Sequence, residues 1–239
     1  MSFNSGVRSF SKKYNSSITS SENKILVVLC LEKRCIIITA YNGNKIRDCV
    51  ELSANDTIIC ADGGYLFAEA ENVNPDIIIG DFDSMPKPVV PGCKIIELPS
   101  MKDDTDTMSC VRYATSICCD EIIIVGGIGG RLDHSLANIQ AVAFIHNYGI
   151  KCTLTNGNNI IFMLENDKVT LQRKDGWTLS LLAYSRQCKG VCISGVKYPL
   201  KNAILNNAFP LGVSNEIVED SANISVNEGQ LLVIQSKIL

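Results

Sequence analysis

Acidic residues recur directly after short apolar segments, and this spacing is the feature of the sequence that suggests chemistry. Four acidic groups follow four such segments: Asp62 after 57–60, Asp81 and Asp83 after 77–79, Asp103, Asp104 and Asp106 after 94–98, and Asp133 after 121–125. Converging carboxylates repel one another unless a cation joins them, and Mg²⁺ takes carboxylate and phosphate oxygens together. The four groups therefore predict a magnesium site, although any one acid alone is explained as well by a helix N-cap or a turn.

Glycines lie beside these acids and indicate a bound phosphate. They occur in Asp62-Gly63-Gly64 and in the segment 126–133, each between an apolar segment and a helix-compatible one. Backbone N–H groups freed of side chains, together with a helix N-terminus, favour an anion. Arg131 adds a permanent charge and a planar fork of donors, a surface ion pair being the alternative. The glycines match neither the P-loop nor the dinucleotide fingerprint, so the combination favours phosphoryl or diphosphoryl transfer.

The elements that would position these residues alternate between strand and helix up to about residue 155, which predicts an α/β fold with a largely parallel sheet. The predicted strands are 25–31, 35–39, 57–60, 77–79, 94–98, 121–125 and 151–154. Helix periodicity covers 106–117 and 133–148, and it predicts a buried stripe that contains Leu136, Ile139 and Ala143. Because the carboxyl ends of parallel strands share one edge, we expect the acids to converge there.

The second half of the chain changes to period-two segments separated by turn residues, which predicts an antiparallel β-sandwich. The predicted strands are 168–172, 178–183, 190–194, 223–226 and 231–235. The domains expected are an α/β domain at 25–157 and a β-sandwich domain at 158–239. Residues 1–24 contain eight serines and no acid before Glu22. They are expected to be a disordered tail rather than an organelle transit peptide.

Composition excludes several classes of protein. The 239 residues carry 22 basic and 25 acidic side chains, so no overall positive field favours nucleic acid. The longest apolar run near the front has seven residues, far short of the ~20 that cross a bilayer, so no membrane segment is expected. The eleven cysteines lie largely within apolar stretches, which predicts buried thiols, a reducing compartment and a cytoplasmic location.

Six ordered motifs resemble the thiamine pyrophosphokinase family over about residues 25–236. They are Ala-Asp-Gly-Gly at 61–64, Pro-Asp-Ile-Ile-Ile-Gly-Asp-Phe-Asp-Ser at 75–84, Lys-Asp-Asp-Thr-Asp at 102–106, Gly-Gly-Arg-Leu-Asp-His at 129–134, Gly-Val-Lys-Tyr-Pro-Leu at 195–200 and Leu-Gly-Val-Ser-Asn-Glu at 211–216. The resemblance implies that the α/β domain at 25–157 is catalytic and binds ATP and that the β-sandwich at 158–239 binds thiamine. It also implies a homodimer whose active sites lie at the interface. It also implies Mg²⁺-dependent transfer of the β,γ-diphosphate of ATP to the hydroxyethyl oxygen of thiamine, which gives thiamine diphosphate and AMP.

The same resemblance implies roles for individual residues. The implied metal-binding and catalytic residues are Asp81, Asp83 and Asp106. Arg131 is implied as a further catalytic residue, which contacts the phosphates. The implied ATP and phosphate contacts are Asp62, Gly63, Gly64, Asp103, Thr105, Gly129, Gly130 and Arg131. Asp133, Ser214 and Asn215 are implied to bind thiamine, whose cationic ring favours a carboxylate. Asp106 is also a candidate acceptor for the hydroxyl proton. His134, which adjoins Asp133, is a candidate for contact with a ligand.

Two other functions remain open at the level of sequence. Asp81-Phe82-Asp83-Ser84 follows an apolar strand as the nucleophile motif of haloacid dehalogenase-type phosphatases does, but Ser84 replaces the expected Thr or Val. A covalent aspartyl-phosphate would distinguish that class. The second alternative is a non-catalytic nucleotide- or thiamine-binding module, against which the complete set of acidic positions argues.

Overall fold

The computed structural model describes residues 33–83, 85–101 and 103–238. The predicted tail 1–24 and the predicted strand 25–31 lie outside these residues. The elements are β1 (Arg34–Ile38), α1 (Ile46–Cys49), β2 (Thr57–Ala61), α2 (Gly64–Ala70), β3 (Ile77–Gly80), β4 (Lys94–Glu97), α3 (Asp106–Ser116), β5 (Glu121–Val125), α4 (Leu132–Asn147), β6 (Lys151–Thr155), β7 (Asn159–Glu165), β8 (Lys168–Gln172), β9 (Trp177–Ala183), β10 (Gln187–Ser194), β11 (Leu200–Asn206), β12 (Gly212–Asn215), β13 (Ser221–Ser225) and β14 (Gln230–Lys237). Within the described residues, no helix combines the length and apolar character needed to span a membrane.

A ten-stranded sheet forms the main layer, in the order β12-β9-β14-β7-β6-β5-β1-β2-β3-β4. The six strands from β6 to β4 are parallel, as their Ile- and Val-rich sequences predict. The strands from β7 to β12 are antiparallel. The sheet therefore continues across residues 157 and 158, and the carboxyl ends of β1, β2, β3 and β5 lie at one edge.

Alternate residues of the parallel strands point to opposite faces of the sheet, and each face has its own core. Ile37 and Ile59 pack with the face covered by α3 and α4. Their neighbours Ile36 and Ile58 pack on the opposite face, with residues of α1 and α2. This burial on both sides explains why the strands are apolar throughout.

A separate antiparallel sheet, in the order β11-β10-β13-β8, forms the second layer of the sandwich. Leu181 of β9 and Val233 of β14 pack in one core with Ile193 of β10 and Ile224 of β13. The predicted fold class, a largely parallel α/β sheet followed by an antiparallel β-sandwich, is confirmed. Three of its strands, β7, β11 and β12, were not predicted, and the polar residues of β11 and β12 explain why their pattern is weak.

The predicted apolar stripe of α4 is wrong at Leu136, which is 53% exposed. The helix instead buries Ser135, Asn138, Val142 and Ile145. The two polar members can be buried because their side chains hydrogen-bond to the loop after β5. Periodicity of apolar residues alone cannot detect such a face.

One cysteine pair departs from the expectation of thiols. Cys35 and Cys119 form a disulfide, with their Cα atoms 6.3 Å apart. Parallel pairing of Cys35 with Ile122 brings the segment before β5 beside the start of β1, which sequence spacing does not reveal. Other cysteines, including Cys60, Cys110 and Cys152, are buried thiols as predicted, and burial raises the pKa of each.

Candidate active site

A cavity of about 300 Å³ opens between the carboxyl ends of β1 and β5. The connection after β1 leads along the sheet towards β2, whereas the connection after β5 leads the other way, to β6. This reversal is a topological switch point, where open α/β sheets bind ligands. The lining, within the described residues, is Thr39, Ala40, Tyr41, Ala61, Asp62, Thr105, Asp106, Thr107, Gly127, Gly129, Arg131, His134 and Asn138. The structure thus brings together Asp62, Asp106 and Arg131, which are far apart in sequence.

Asp62 is held rigidly at the end of β2. Its backbone N–H donates to the carbonyl of Ile79 at 2.8 Å, its φ is +42°, and the residue is 8% exposed. A Cβ at Gly80 would lie 2.9 Å from the Asp62 Cα, so this position needs a glycine for close approach. A buried carboxylate whose backbone has left-handed φ is typical of a functional residue rather than of an ordinary surface turn.

The glycines after Asp62 have different explanations. A Cβ at Gly64 would overlap the carbonyl oxygen of Ile38, so Gly64 lets α2 pass close to β1. Gly63 has an ordinary helical conformation, and a Cβ there would meet only the Ala40 Cβ, at 3.5 Å. Packing therefore accounts for Gly64 without a ligand, whereas the space at Gly63 does not demand a glycine.

Asp81 and Asp83 flank a strained turn at the end of β3. Phe82 between them has a φ of +54°, and the Asp83 N–H donates to Asp81 Oδ1 at 3.4 Å. A bulky residue in the left-handed region is uncommon. The turn presents both carboxylates at the same sheet edge as Asp62, but neither belongs to the lining of the cavity among the described residues.

The N-terminus of α3 supplies the third group. The Thr105 hydroxyl accepts from the Met108 N–H at 3.1 Å and so caps the helix, while its own proton remains available for a ligand. Asp106 begins the helix and faces the cavity. Asp103 instead lines a separate groove with Gln140 and Phe144. Its neighbour Asp104 pairs with Arg112 at 2.6 Å, which anchors this loop.

Arg131 and Asp133 pair with each other at the start of α4. The Arg131 guanidinium donates to both carboxylate oxygens, with Nη2 to Oδ2 at 2.6 Å and Nε to Oδ1 at 3.2 Å. This hydrogen bond lowers the pKa of Asp133 and raises that of Arg131. Both side chains are well exposed. Because exposed pairs contribute little to stability, an incoming phosphate can compete for the guanidinium.

The site also contains residues that sequence analysis did not single out. Thr39 is buried and its hydroxyl lies 3.0 Å from the carbonyl oxygen of Val125. The Tyr41 ring packs on the glycine loop, since a Cβ at Gly130 would come within 2.8 Å of it. Asn138 approaches from α4. The segment after β1 follows its strand just as Asp62 follows β2, but it carries no acidic residue, so its sequence gives no signal of a functional position.

Two of the three residues expected to bind thiamine, Ser214 and Asn215, lie on β12, an edge strand of the main sheet, whereas Asp133 lies on α4. Ser214 has a φ of +59°, and its N–H donates to Ser180 Oγ at 3.0 Å. The Asn215 amide makes three hydrogen bonds: it accepts from the Tyr198 and Glu216 N–H groups and donates to the Tyr198 carbonyl. Asn215 therefore fixes the backbone of Tyr198, a residue that is itself 62% exposed.

The carboxylates suit magnesium only in partnership with a ligand. Within the described residues, no group of three His, Cys, Asp or Glu side chains could hold a metal ion by itself. Magnesium, however, commonly binds one or two carboxylates together with substrate phosphates and water. The carboxylates of Asp81 and Asp83, two residues apart on one turn, are such a donor set, which fits an ion that arrives with a polyphosphate.

Comparison with protein families agrees with this geometry. Residues 50–154 match the model described as "Thiamin pyrophosphokinase, catalytic domain", and residues 168–231 match "Thiamin pyrophosphokinase, vitamin B1 binding domain". The first match contains Asp62, Asp81, Asp106 and Arg131, and the second contains Ser214. Together the two models cover most of the chain.

Two individual thiamine pyrophosphokinases are similar in sequence to this chain. The chain is 28% identical over 188 residues to the thiamine pyrophosphokinase of Bacillus subtilis (strain 168), which covers 75% of this chain and 83% of that protein. It is 25% identical over 198 residues to thiamine pyrophosphokinase 1 of Oryza sativa subsp. japonica, covering 70% and 74%.

Solved structures share the fold. The crystal structure of the thiamine pyrophosphokinase from Bacillus subtilis superposes with a TM-score of 0.77 and 25% identity, over 87% of this chain and all of the other. The structure of yeast thiamin pyrophosphokinase gives a TM-score of 0.68 over 87% of each chain. At 16% identity the yeast comparison concerns the fold alone.

Proposed function

The chain belongs to the thiamin pyrophosphokinase family, and from that premise we propose that it transfers the β,γ-diphosphate of ATP to the hydroxyethyl oxygen of thiamine. The products are thiamine diphosphate and AMP. The observation that carries the proposal is the cavity at the switch point, where Asp62, Asp106 and Arg131 meet a glycine-rich loop. A diphosphotransferase role follows from the family, and the site chemistry supports the particular donor and acceptor.

The reaction needs positioning and charge neutralisation more than an activated protein nucleophile. The thiamine hydroxyl attacks the β-phosphorus of ATP, the bond from that phosphorus to the α-phosphate oxygen breaks, and AMP departs. Arg131 faces the cavity and would compensate negative charge on the phosphates. Asp106 lines the same cavity and is the candidate acceptor for the hydroxyl proton.

Asp81 and Asp83 are the residues proposed to hold magnesium, with Asp106 as a further ligand. When bound, the ion would polarise phosphate oxygens and neutralise charge that develops in the transition state. Asp62 lies behind this turn and supports it, because the Asp62 loop packs on Gly80, the residue before Asp81. Thr105 lines the same cavity, and we expect its hydroxyl to donate to a phosphate oxygen.

The strand order supports a homodimer with shared active sites. Ser214 lies on β12, and β1 is six strands away in the sheet. At about 4.8 Å per strand this separates them by roughly 29 Å. That distance exceeds the length of a thiamine molecule, so we infer that Ser214 of one chain does not reach the phosphate cavity of the same chain. A second copy would supply the missing half of each site.

Exposed apolar side chains border both halves of the proposed site. Leu132 and Leu136 of α4 are 73% and 53% exposed beside the cavity. Tyr198, Leu211 and Val213 are exposed around a groove next to Asn215. Clustered exposed apolar residues are typical of interaction surfaces. Their position at the two half-sites supports the same dimer.

The haloacid dehalogenase alternative finds no support in the two family models or in the relatives described above, which are thiamine pyrophosphokinases. Magnesium binding by Asp81 and Asp83 would account for the strained turn at Phe82 without a covalent intermediate. We also keep a cytoplasmic location as part of the proposal, because eight cysteines of the described residues are free thiols.

The test incubates purified protein with ATP, Mg²⁺ and thiamine and separates the products by chromatography. Thiamine-dependent formation of AMP and thiamine diphosphate in equal amounts is expected, with no product when EDTA replaces Mg²⁺. Phosphate release without thiamine would instead indicate a phosphatase. Binding of thiamine and ATP without turnover would indicate a binding module.

A further inference from the structure

We propose that Ser135 and Asn138 of α4 are positioning residues that hold the glycine-rich loop 126–130 in its phosphate-binding conformation. The inference rests on the proposed function, because it assigns the loop to the polyphosphate of ATP. It adds two side chains that the acidic and glycine motifs do not include. Neither needs to react, since each acts through the loop.

The loop needs an external support because of its backbone. Gly126, Gly127, Gly129 and Gly130 all have positive φ values, of +83°, +69°, +104° and +61°. Four glycines of five residues make this segment highly mobile in isolation, and ordering it costs conformational entropy. A loop that must present N–H groups and Arg131 to an anion performs best when it is ordered beforehand.

Two side chains one turn apart on α4 supply this support. Asn138 Nδ2 donates to the Gly127 carbonyl at 2.9 Å. Ser135 Oγ accepts from the Gly129 N–H at 3.0 Å, and lies 3.2 Å from the Arg131 carbonyl oxygen. Both residues are at least nine-tenths buried. They therefore fix the loop at Gly127, at Gly129 and at its junction with the helix.

The opposite side of the loop is fastened by backbone groups. The Gly127 N–H donates to the Tyr41 carbonyl at 2.7 Å, and the Gly126 N–H to the Thr155 carbonyl at 2.8 Å. A Cβ at Gly127 would overlap Asn138 Nδ2, so the glycine and the asparagine fit each other. With α4 on one side and β1 and β6 on the other, the loop has little freedom left.

The choice of residues favours this role over plain packing. Serine and asparagine are poorer helix formers than alanine or leucine, and burying their polar groups costs free energy unless they are paired. Apolar residues at 135 and 138 would suit a helix that only covers the sheet. The polar face of α4 is explained by the loop it holds.

The first test replaces Asn138 by leucine, which has a similar size and no donor, and uses Gln140→Leu as the matched control. Gln140 is an exposed amide on the same helix. We measure binding of Mg-ATP without thiamine by calorimetry, and hydrogen exchange of the amides of residues 126–130. Asn138→Leu should weaken Mg-ATP binding about tenfold and accelerate exchange in the loop, whereas Gln140→Leu should change neither.

Asn138 also lines the cavity, so a second pair of variants separates support of the loop from direct contact. Ser135 is not part of that lining among the described residues. Ser135→Ala should raise the Kd and the KM for Mg-ATP about 3- to 10-fold without changing the KM for thiamine. Ser135→Thr retains the hydroxyl and should recover most of the affinity.

The outcomes distinguish this inference from the proposed function. If the wild type binds Mg-ATP but does not convert thiamine, the proposed reaction fails while the binding comparison still tests the support of the loop. Unchanged Mg-ATP affinity in folded Ser135→Ala and Asn138→Leu would overturn the inference. So would equal losses for ATP and thiamine, because a general structural defect affects both substrates alike.

Discussion

At the scale of single residues, the turn after β3 concentrates the charge that a magnesium ion would need. Asp81 and Asp83 flank Phe82, whose left-handed backbone directs the chain sharply at this point. Asp175, by contrast, lies in a surface turn with its side chain 87% exposed. Replacing aspartate by asparagine at position 81 and at position 175 therefore makes the same chemical change inside and outside the proposed site.

We expect Asp81→Asn to lower kcat about 100-fold or more, because a charge that holds the ion contributes several kcal/mol to the transition state. The fold should survive, since Asn preserves the shape of the side chain. Rates at increasing Mg²⁺ and circular dichroism check both parts. Asp175→Asn should behave as the wild type. An Asp81→Asn protein with near-normal turnover at ordinary Mg²⁺ would remove this residue from the metal site.

At the scale of elements, the packing of α2 on β1 explains one glycine of the Asp62-Gly63-Gly64 motif. Gly64→Ala should destabilise the protein by about 1–3 kcal/mol, because the new Cβ overlaps the backbone of Ile38 and neither element can move freely. Gly63→Ala is the matched variant, since its Cβ meets only ordinary contacts. Urea unfolding of the two variants measures the difference.

The same pair separates packing from ligand contact. If Gly63 approaches the phosphates, Gly63→Ala should keep its unfolding midpoint and lose affinity for Mg-ATP. Equal unfolding midpoints for the Gly63 and Gly64 variants would contradict the packing explanation. The comparison matters because the sequence presents both glycines as one motif, while the fold gives them different surroundings.

At the scale of the whole molecule, the separation between β12 and β1 predicts that each active site takes residues from two chains. We expect Asp81→Asn and Ser214→Arg homodimers to be inactive, each lacking one half of every site. Mixing the two unfolded chains and refolding them should restore about a quarter of wild-type activity, because half of the dimers are mixed and one of their two sites is intact.

Light scattering and the recovered activity measure this prediction together. A monomer in solution, or a mixed sample as inactive as its components, would show that the sites are not shared. A control mixture of wild type and Asp81→Asn defines the effect of dilution. The experiment tests only whether the sites are shared between chains. Its result does not depend on which reaction the sites catalyse, because every sample contains copies of the same chain.

The amino-acid sequence predicts the fold class and most of the strands. Apolar segments such as 57–60, 77–79 and 121–125 predicted strands that the structure contains within a residue or so, because burial on both faces leaves an unmistakable local pattern. It also placed Asp62 and Asp106 at strand or helix boundaries. These features depend on neighbours in the chain, so local patterns suffice to find them.

The strand order, and every feature that depends on it, comes from long-range contacts in the folded chain. The switch point between β1 and β5, the position of β12 at the far edge and the burial of Ser135 and Asn138 all arise from pairing between distant segments. Leu136 shows the limit of prediction from local patterns. Its apolar character suggests burial, but hydrogen bonds of Ser135 and Asn138 with the loop turn the polar face of α4 inward and leave Leu136 exposed. Long-range pairing selects among arrangements that local patterns leave equally possible.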